Sequence, residues 1–145
     1  MSTTDTRSYS FEFFPPKTPQ GIEKLHLTRE ELGRLKPAYF SVTFGAGGST
    51  QEGTLEVVSA IQRAGFQAAP HLSCIGSTQD TIRSILNRYQ QLGIKRLVAL
   101  RGDMPSGTQG AGDFRYANEL IEFVRLTTGA HFHIEVAAYP EVHPQ

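Results

Sequence analysis

A single cysteine, Cys74, stands in this chain of 145 residues, which rules out an internal disulfide and any multi-cysteine zinc or iron–sulfur site. Excess charge of either sign is missing too, because 14 Lys and Arg balance 14 Asp and Glu. Nucleic acid and anionic membranes both demand surplus positive charge, so neither is expected as a partner. No apolar run approaches the ~20 residues that a membrane helix needs. The first ten residues, MSTTDTRSYS, lack the apolar core of a signal peptide. No linker, low-complexity stretch or charge block divides the chain. What is present is 39% hydrophobic residues, spread evenly and sufficient for a packed core. The expectation is one domain of a soluble, cytoplasmic protein.

Short β-like runs alternate with amphipathic helical stretches. The runs are Tyr9–Phe14, Ala38–Phe44, Gln67–Cys74, Arg96–Gly102 and His133–Tyr139. Ile22, Leu25, Leu32 and Leu35 predict a first helix, opened by Thr18-Pro19, a cap followed by proline in the first turn. Leu55, Val58 and Ile61 predict a second, with Ser49-x-x-Glu52 as a capping box and Gly65 as its stop. Ile82, Ile85, Leu86, Tyr89 and Leu92, ended by Gly93, predict a third. Phe114, Ala117, Ile121 and Val124, ended by Gly129, predict a fourth. Strands and helices in strict alternation mean parallel β/α units.

Two architectures fit, an open doubly wound sheet and a closed (β/α)8 barrel. Side-chain parity separates them. Ser10, Glu12 and Phe14 oppose Tyr9, Phe11 and Phe13; Ser41 and Thr43 oppose Phe40, Val42 and Phe44; Ala69, His71 and Ser73 share a face. Ala99, Arg101 and Asp103 oppose Val98 and Leu100, and His133, Glu135, Ala137 and Tyr139 oppose Ile134, Val136 and Ala138. One face of each strand is thus apolar while the other collects small and polar groups. A doubly wound sheet carries helices on both faces and wants both apolar. A barrel has one helix-covered face and one lumen, with its active site at the carboxyl ends of its strands. The fold class is therefore α/β, a (β/α)8 TIM barrel. Eight units take ~250 residues, and this chain supplies about the first four and a half. Residues 1–7 read as an N-terminal tail and 8–145 as the barrel part. A half barrel leaves parallel edge strands and an open lumen, so either the rest of the barrel or another copy is expected to complete it.

Several groups could do chemistry. Glu12, in Phe11-Glu12-Phe13-Phe14-Pro15-Pro16, has lumen parity, and aromatic surroundings that strip its hydration would raise its pKa into the range of a proton donor. The alternative is an exposed glutamate whose aromatic neighbours pack on helices. Arg101-Gly102-Asp103 places both charges at a strand end, where glycine permits close approach of a ligand; a surface ion pair in a turn is the other reading. Gly45-Ala46-Gly47-Gly48-Ser49-Thr50 joins a strand to a helix start and offers backbone N–H groups to a phosphate. It is neither a Walker loop nor a dinucleotide G-x-G-x-x-G, so a tight turn is the default. Pro105 to Gly112 reads as a mobile loop over a site. His71 and His143, with Glu12 and Asp103, could be drawn as a metal site, but no histidine pair has short ligand spacing; no metal is expected.

The segments together are more specific than any one of them. Ser10-Phe11-Glu12-Phe13-Phe14-Pro15-Pro16-Lys17, Ser41-Val42-Thr43-Phe44-Gly45-Ala46-Gly47-Gly48, Ala69-Pro70-His71-Leu72-Ser73-Cys74, Ala99-Leu100-Arg101-Gly102-Asp103 and Ala137-Ala138-Tyr139-Pro140-Glu141-Val142-His143-Pro144 occur in this order. In order and spacing the chain resembles the methylenetetrahydrofolate reductase family. The resemblance implies a flavin-containing barrel that reduces methylenetetrahydrofolate to methyltetrahydrofolate for methionine synthesis, with FAD as cofactor and NADH or NADPH as electron donor. It implies that Glu12 is the general acid that opens the folate's bridged ring, and that Asp103 stabilises the resulting cation and tunes the flavin. Glu12, Thr43 and Asp103 would contact the folate. Thr43, Phe44 and Ala46 would line the flavin, with His71, Arg101, Gly102, Asp103, Tyr116, Ala117, Tyr139 and His143 as further FAD contacts. Phe44 stands where many relatives carry tyrosine. The resemblance also implies that further flavin- and folate-binding residues belong to the second half of the barrel.

Three functions follow. The first is the flavoenzyme, acting on small-molecule folate and nicotinamide substrates. The second is a shortened, non-catalytic relative that serves as a binding or assembly module, motivated by the missing half barrel. The third keeps the barrel as a metal hydrolase using His71, Asp103 and His143.

Overall fold

The computed structural model describes residues 7–44, 50–103, 110 and 112–141. Five strands, β1 (Ser10–Phe13), β2 (Tyr39–Val42), β3 (Ala68–Ser73), β4 (Arg96–Leu100) and β5 (His133–Val136), alternate with four helices. The helices are α1 (Pro19–Gly33), α2 (Thr50–Arg63), α3 (Gln79–Gln91) and α4 (Ala117–Thr128). All strand pairings are parallel, and the order across the sheet is that of the sequence, β1-β2-β3-β4-β5. A doubly wound sheet reverses its order at a switch point; this sheet never does. Each crossover advances one strand, which is how a (β/α)8 barrel winds.

Local chemistry explains the boundaries. The Thr18 hydroxyl accepts from the Gly21 N–H while Pro19 opens α1. Thr78 caps α3 by accepting from the Thr81 N–H. Gly65 and Gly93 follow α2 and α3 with φ of +90° and +73°, backbone that glycine adopts without a Cβ penalty. The expected capping serine, Ser49, lies outside the described residues.

The core lies between the sheet's outer face and the helices. Phe40, Val42, Leu72, Leu97, Val58, Ile61, Ile82, Leu86, Leu120 and Val124 have no exposed surface. Phe40 stacks on Phe13 at 5.2 Å and takes the Phe66 ring edge-on at 5.4 Å.

Three expectations need correction. On β4 the parity is reversed: His71 pairs with Val98 and Leu72 with Ala99, so Val98 and Leu100 face the lumen while buried Ala99 faces the helices. Phe114 is buried before α4 begins, and Leu120 takes the place assigned to it on the helix. On α1, Ile22 is 39% exposed and Leu35 lies beyond the helix, 55% exposed. The buried positions of that helix are Leu25 and Arg29, whose guanidinium pairs with Glu30 at 2.8 Å.

Candidate functional site

Glu12 is the third residue of β1 and stands directly opposite Ser41 of β2. Ser41 in turn pairs with Ala69, two residues before His71 on β3, so all four side chains share the lumen face. The Ser41 hydroxyl donates to Glu12 Oε2 at 3.4 Å, and His71 Nε2 lies 3.3 Å from the same oxygen. Ser41 is buried and the His71 side chain is 12% exposed, whereas that of Glu12 is half exposed. Burial pushes the His71 imidazole below its ordinary value of 6.5, and the Glu12 carboxylate opposes that shift without cancelling it.

The aromatic shell expected around Glu12 is not there. Phe11 and Phe13 alternate to the other face, where both stack on Phe40, and the neighbouring Phe14 is 74% exposed. The polar contacts that do surround Glu12 come from β2 and β3. Ser41 was missed as a site residue because its partnership with Glu12 depends on strand register, which a sequence read strand by strand does not contain.

A second group gathers at the carboxyl ends of β4 and β5. Arg101, Gly102, Asp103, Tyr116, Ala117 and Tyr139 line an open cleft of about 490 Å³ beside the first turn of α4. Arg101, Asp103, Tyr116 and Tyr139 are exposed there. The Glu119 carboxylate accepts from the Arg115 and Tyr116 N–H groups, and these bonds hold its pKa below the usual carboxylate range. The next N–H groups, of Ala117 and Asn118, begin the helix at the cleft wall. Gly102 has φ of +81°, and a Cβ there would meet the Ser73 side chain at 2.9 Å. Its close approach is thus to the end of β3. Arg101 and Asp103 do not pair with each other among the described residues; the Arg101 Nε donates to the Gly102 carbonyl at 3.4 Å.

Other candidates fall elsewhere. Thr43 follows β2, and its carbonyl accepts from the Thr54 hydroxyl at 2.9 Å, tying the strand end to α2. Phe44 lines a small pocket between α2 and α3 with Leu55 and Tyr89, away from the cleft's lining. Ala46, His143 and most of the 105–112 loop lie outside the described residues. Among the described residues no cluster of three or more His, Cys, Asp or Glu could hold a metal ion, and no helix is long and apolar enough to cross a membrane.

A family model described as methylenetetrahydrofolate reductase matches residues 1–145. The chain belongs to that family. The 5,10-methylenetetrahydrofolate reductases of Escherichia coli (strain K12) and Salmonella typhimurium are each 44% identical over 137 residues, covering 94% of this chain and 45% of theirs. Methylenetetrahydrofolate reductase (NADH) 1 of Arabidopsis thaliana is 39% identical over 142 residues, covering 94% of this chain and 24% of its own. The chain thus spans a little under half the length of the bacterial members of the methylenetetrahydrofolate reductase family that it matches.

Proposed function

We propose that this chain is the part of a flavin-dependent methylenetetrahydrofolate reductase that supplies the acid and one wall of the cofactor site. The observation that carries this reading is Glu12, a lumen-facing carboxyl group held by Ser41 and His71 in a chain of this family. Half exposed, it is accessible to a folate in the lumen.

The cleft has the chemistry that FAD would need. Arg101 and the first turn of α4 suit an anionic diphosphate, the helix N-terminus adding its partial positive charge. Tyr116 and Tyr139 offer aromatic surfaces to planar rings. Bound FAD would supply hydride transfer from a reduced nicotinamide to the folate. The chain's own residues have two tasks. Glu12 delivers a proton to the bridged folate ring so that it opens to an iminium cation, and the Asp103 carboxylate stabilises that cation.

The test is Glu12→Gln in the protein with the complete barrel. Folate reduction is expected to fall by about 10²–10⁴-fold, the range for loss of a general acid. Flavin binding and nicotinamide oxidation with an artificial acceptor are expected to persist. Undiminished folate turnover would remove Glu12 from the chemistry.

A further inference from the structure

A proton donor needs one oxygen free to face its substrate, and Glu12 shows an asymmetry of that kind. Both of its polar contacts among the described residues, the Ser41 hydroxyl at 3.4 Å and His71 Nε2 at 3.3 Å, converge on Oε2. Neither touches Oε1. A glutamate side chain at a strand end, half exposed, has several rotamers available. Two contacts from two different strands, reaching one oxygen, select among them.

Ser41 is the more telling partner. It is only 6% exposed, so its hydroxyl must find an acceptor within the protein. The acceptor it takes is the carboxylate directly across the β1–β2 ladder, on a residue half open to the lumen. The apolar side chains on either side of it, Phe40 and Val42, point to the opposite face. Its own face contributes little to the core, and a small apolar residue would fill the same space.

We propose that Ser41 and His71 are positioning residues for Glu12, anchoring Oε2 so that Oε1 is the oxygen that hands over the proton. The inference rests on the reading of Glu12 as the acid. Of the other titratable groups with lumen parity, Tyr39, Arg96, His133 and Glu135 are engaged with one another. The Arg96 guanidinium lies over the Tyr39 ring at 4.8 Å and donates to Glu135 at 3.3 Å, and His133 lies 2.9 Å from that same carboxylate. Asp103 follows β4 and lines the cleft. Among the described residues, His71 and Ser41 are therefore the polar side chains in contact with Glu12.

The expected effect is on the rate at which the proton is handed over, not on binding. Removing the Ser41 hydroxyl should lower the maximal rate of folate reduction by roughly tenfold with KM little changed, because a less well oriented donor meets the substrate productively less often.

The experiment compares Ser41→Ala, Ser41→Thr and Glu12→Gln in the flavin-loaded, complete-barrel protein. Nicotinamide oxidation with an artificial acceptor and the kcat and KM of folate reduction are all measured. Support consists of a folate half-reaction slowed in kcat with KM little changed in Ser41→Ala, unchanged nicotinamide oxidation, and recovery in Ser41→Thr. If Glu12→Gln abolishes folate reduction while Ser41→Ala keeps the wild-type kcat and KM, the positioning role is overturned and the acid assignment stands. Loss of both half-reactions together in Ser41→Ala would make the hydroxyl structural and equally overturn it. Full folate reduction in Glu12→Gln would instead sink the functional reading beneath it.

Discussion

His71 and Cys74 lie three residues apart and are both governed by burial, with opposite chemical results. For His71, burial disfavours the imidazolium more than the nearby Glu12 carboxylate favours it, so its folded value lies below the ordinary 6.5. Below pH 6.5 the unfolded chain therefore binds more protons than the folded one. The stability this group contributes is complete above 6.5 and is lost as pH falls toward and through its folded value. Urea midpoints measured between pH 7.5 and 5 should accordingly drop with acidification, and the drop should be smaller in His71→Asn. Equal slopes in the two proteins would show that His71 is not the group responsible. For Cys74, burial raises the thiol to about 11, and its sulfur sits against the Arg101 and Tyr116 carbonyls at 3.8 and 3.7 Å. At pH 8 only about one molecule in a thousand would carry the thiolate, the reactive form. Iodoacetamide should label the native protein slowly and the urea-unfolded protein at the rate of a free thiol; fast native labelling would contradict the burial.

Among the elements, α1 shows how a glycine can be set by a neighbour and not by its own backbone. Gly33 ends the helix, and a Cβ there would lie 2.4 Å from Phe66 Cζ and 2.7 Å from Cε1. The ring cannot swing away freely because its position is shared with Phe40, which also stacks on Phe11 and Phe13. Alanine is a better helix former than glycine by about 1 kcal/mol. Forcing a methyl group into a packed contact costs about 1–3 kcal/mol. Gly33→Ala should thus destabilise by up to about 2 kcal/mol, read as a lower urea midpoint with unchanged slope; a stabilised variant would mean the ring moves at little cost. The elements themselves were legible because their periods are local: alternation in Phe11-Glu12-Phe13, and helical spacing in Ile82, Leu86 and Tyr89. What was not legible depends on partners far along the chain. The β4 parity is set by pairing His71 with Val98, and the Ser41–Glu12 contact by pairing β1 with β2. The strand itself ends at Leu100, so Arg101 and Asp103, whose polarity suggested the lumen face, lie beyond it. The cleft residues were recognisable by resemblance, but that Tyr116 and Tyr139 share one cavity with Arg101 is a fact of the fold.

For the molecule as a whole, the decisive feature is a sheet with two ends. Among the described residues β1 and β5 each pair on one side only. A parallel sheet leaves its outer N–H and C=O groups ready to pair with another strand. The lumen face is open as well, with the Glu12 and Glu135 side chains 50% and 37% exposed on it. On β5 the outer face is no better covered, because Val136 is 55% exposed. Parallel sheets are stable when both faces are covered, and this one is covered on the helix side. The helix-side core is nonetheless continuous from Phe13 to Phe132, so the 145 residues have what they need to collapse. Collapse with two open edges predicts association. Purified by itself, the chain should sediment as dimers or larger species, and dissociation on dilution should be accompanied by loss of secondary structure, because the edges and the lumen become wet together. The same analysis on a chain extended to the full length of its bacterial relatives should find both edges satisfied and the association gone. A sharp, cooperatively unfolding monomer of the 145-residue chain would refute this, and would mean that the helix-side core alone outweighs the open sheet.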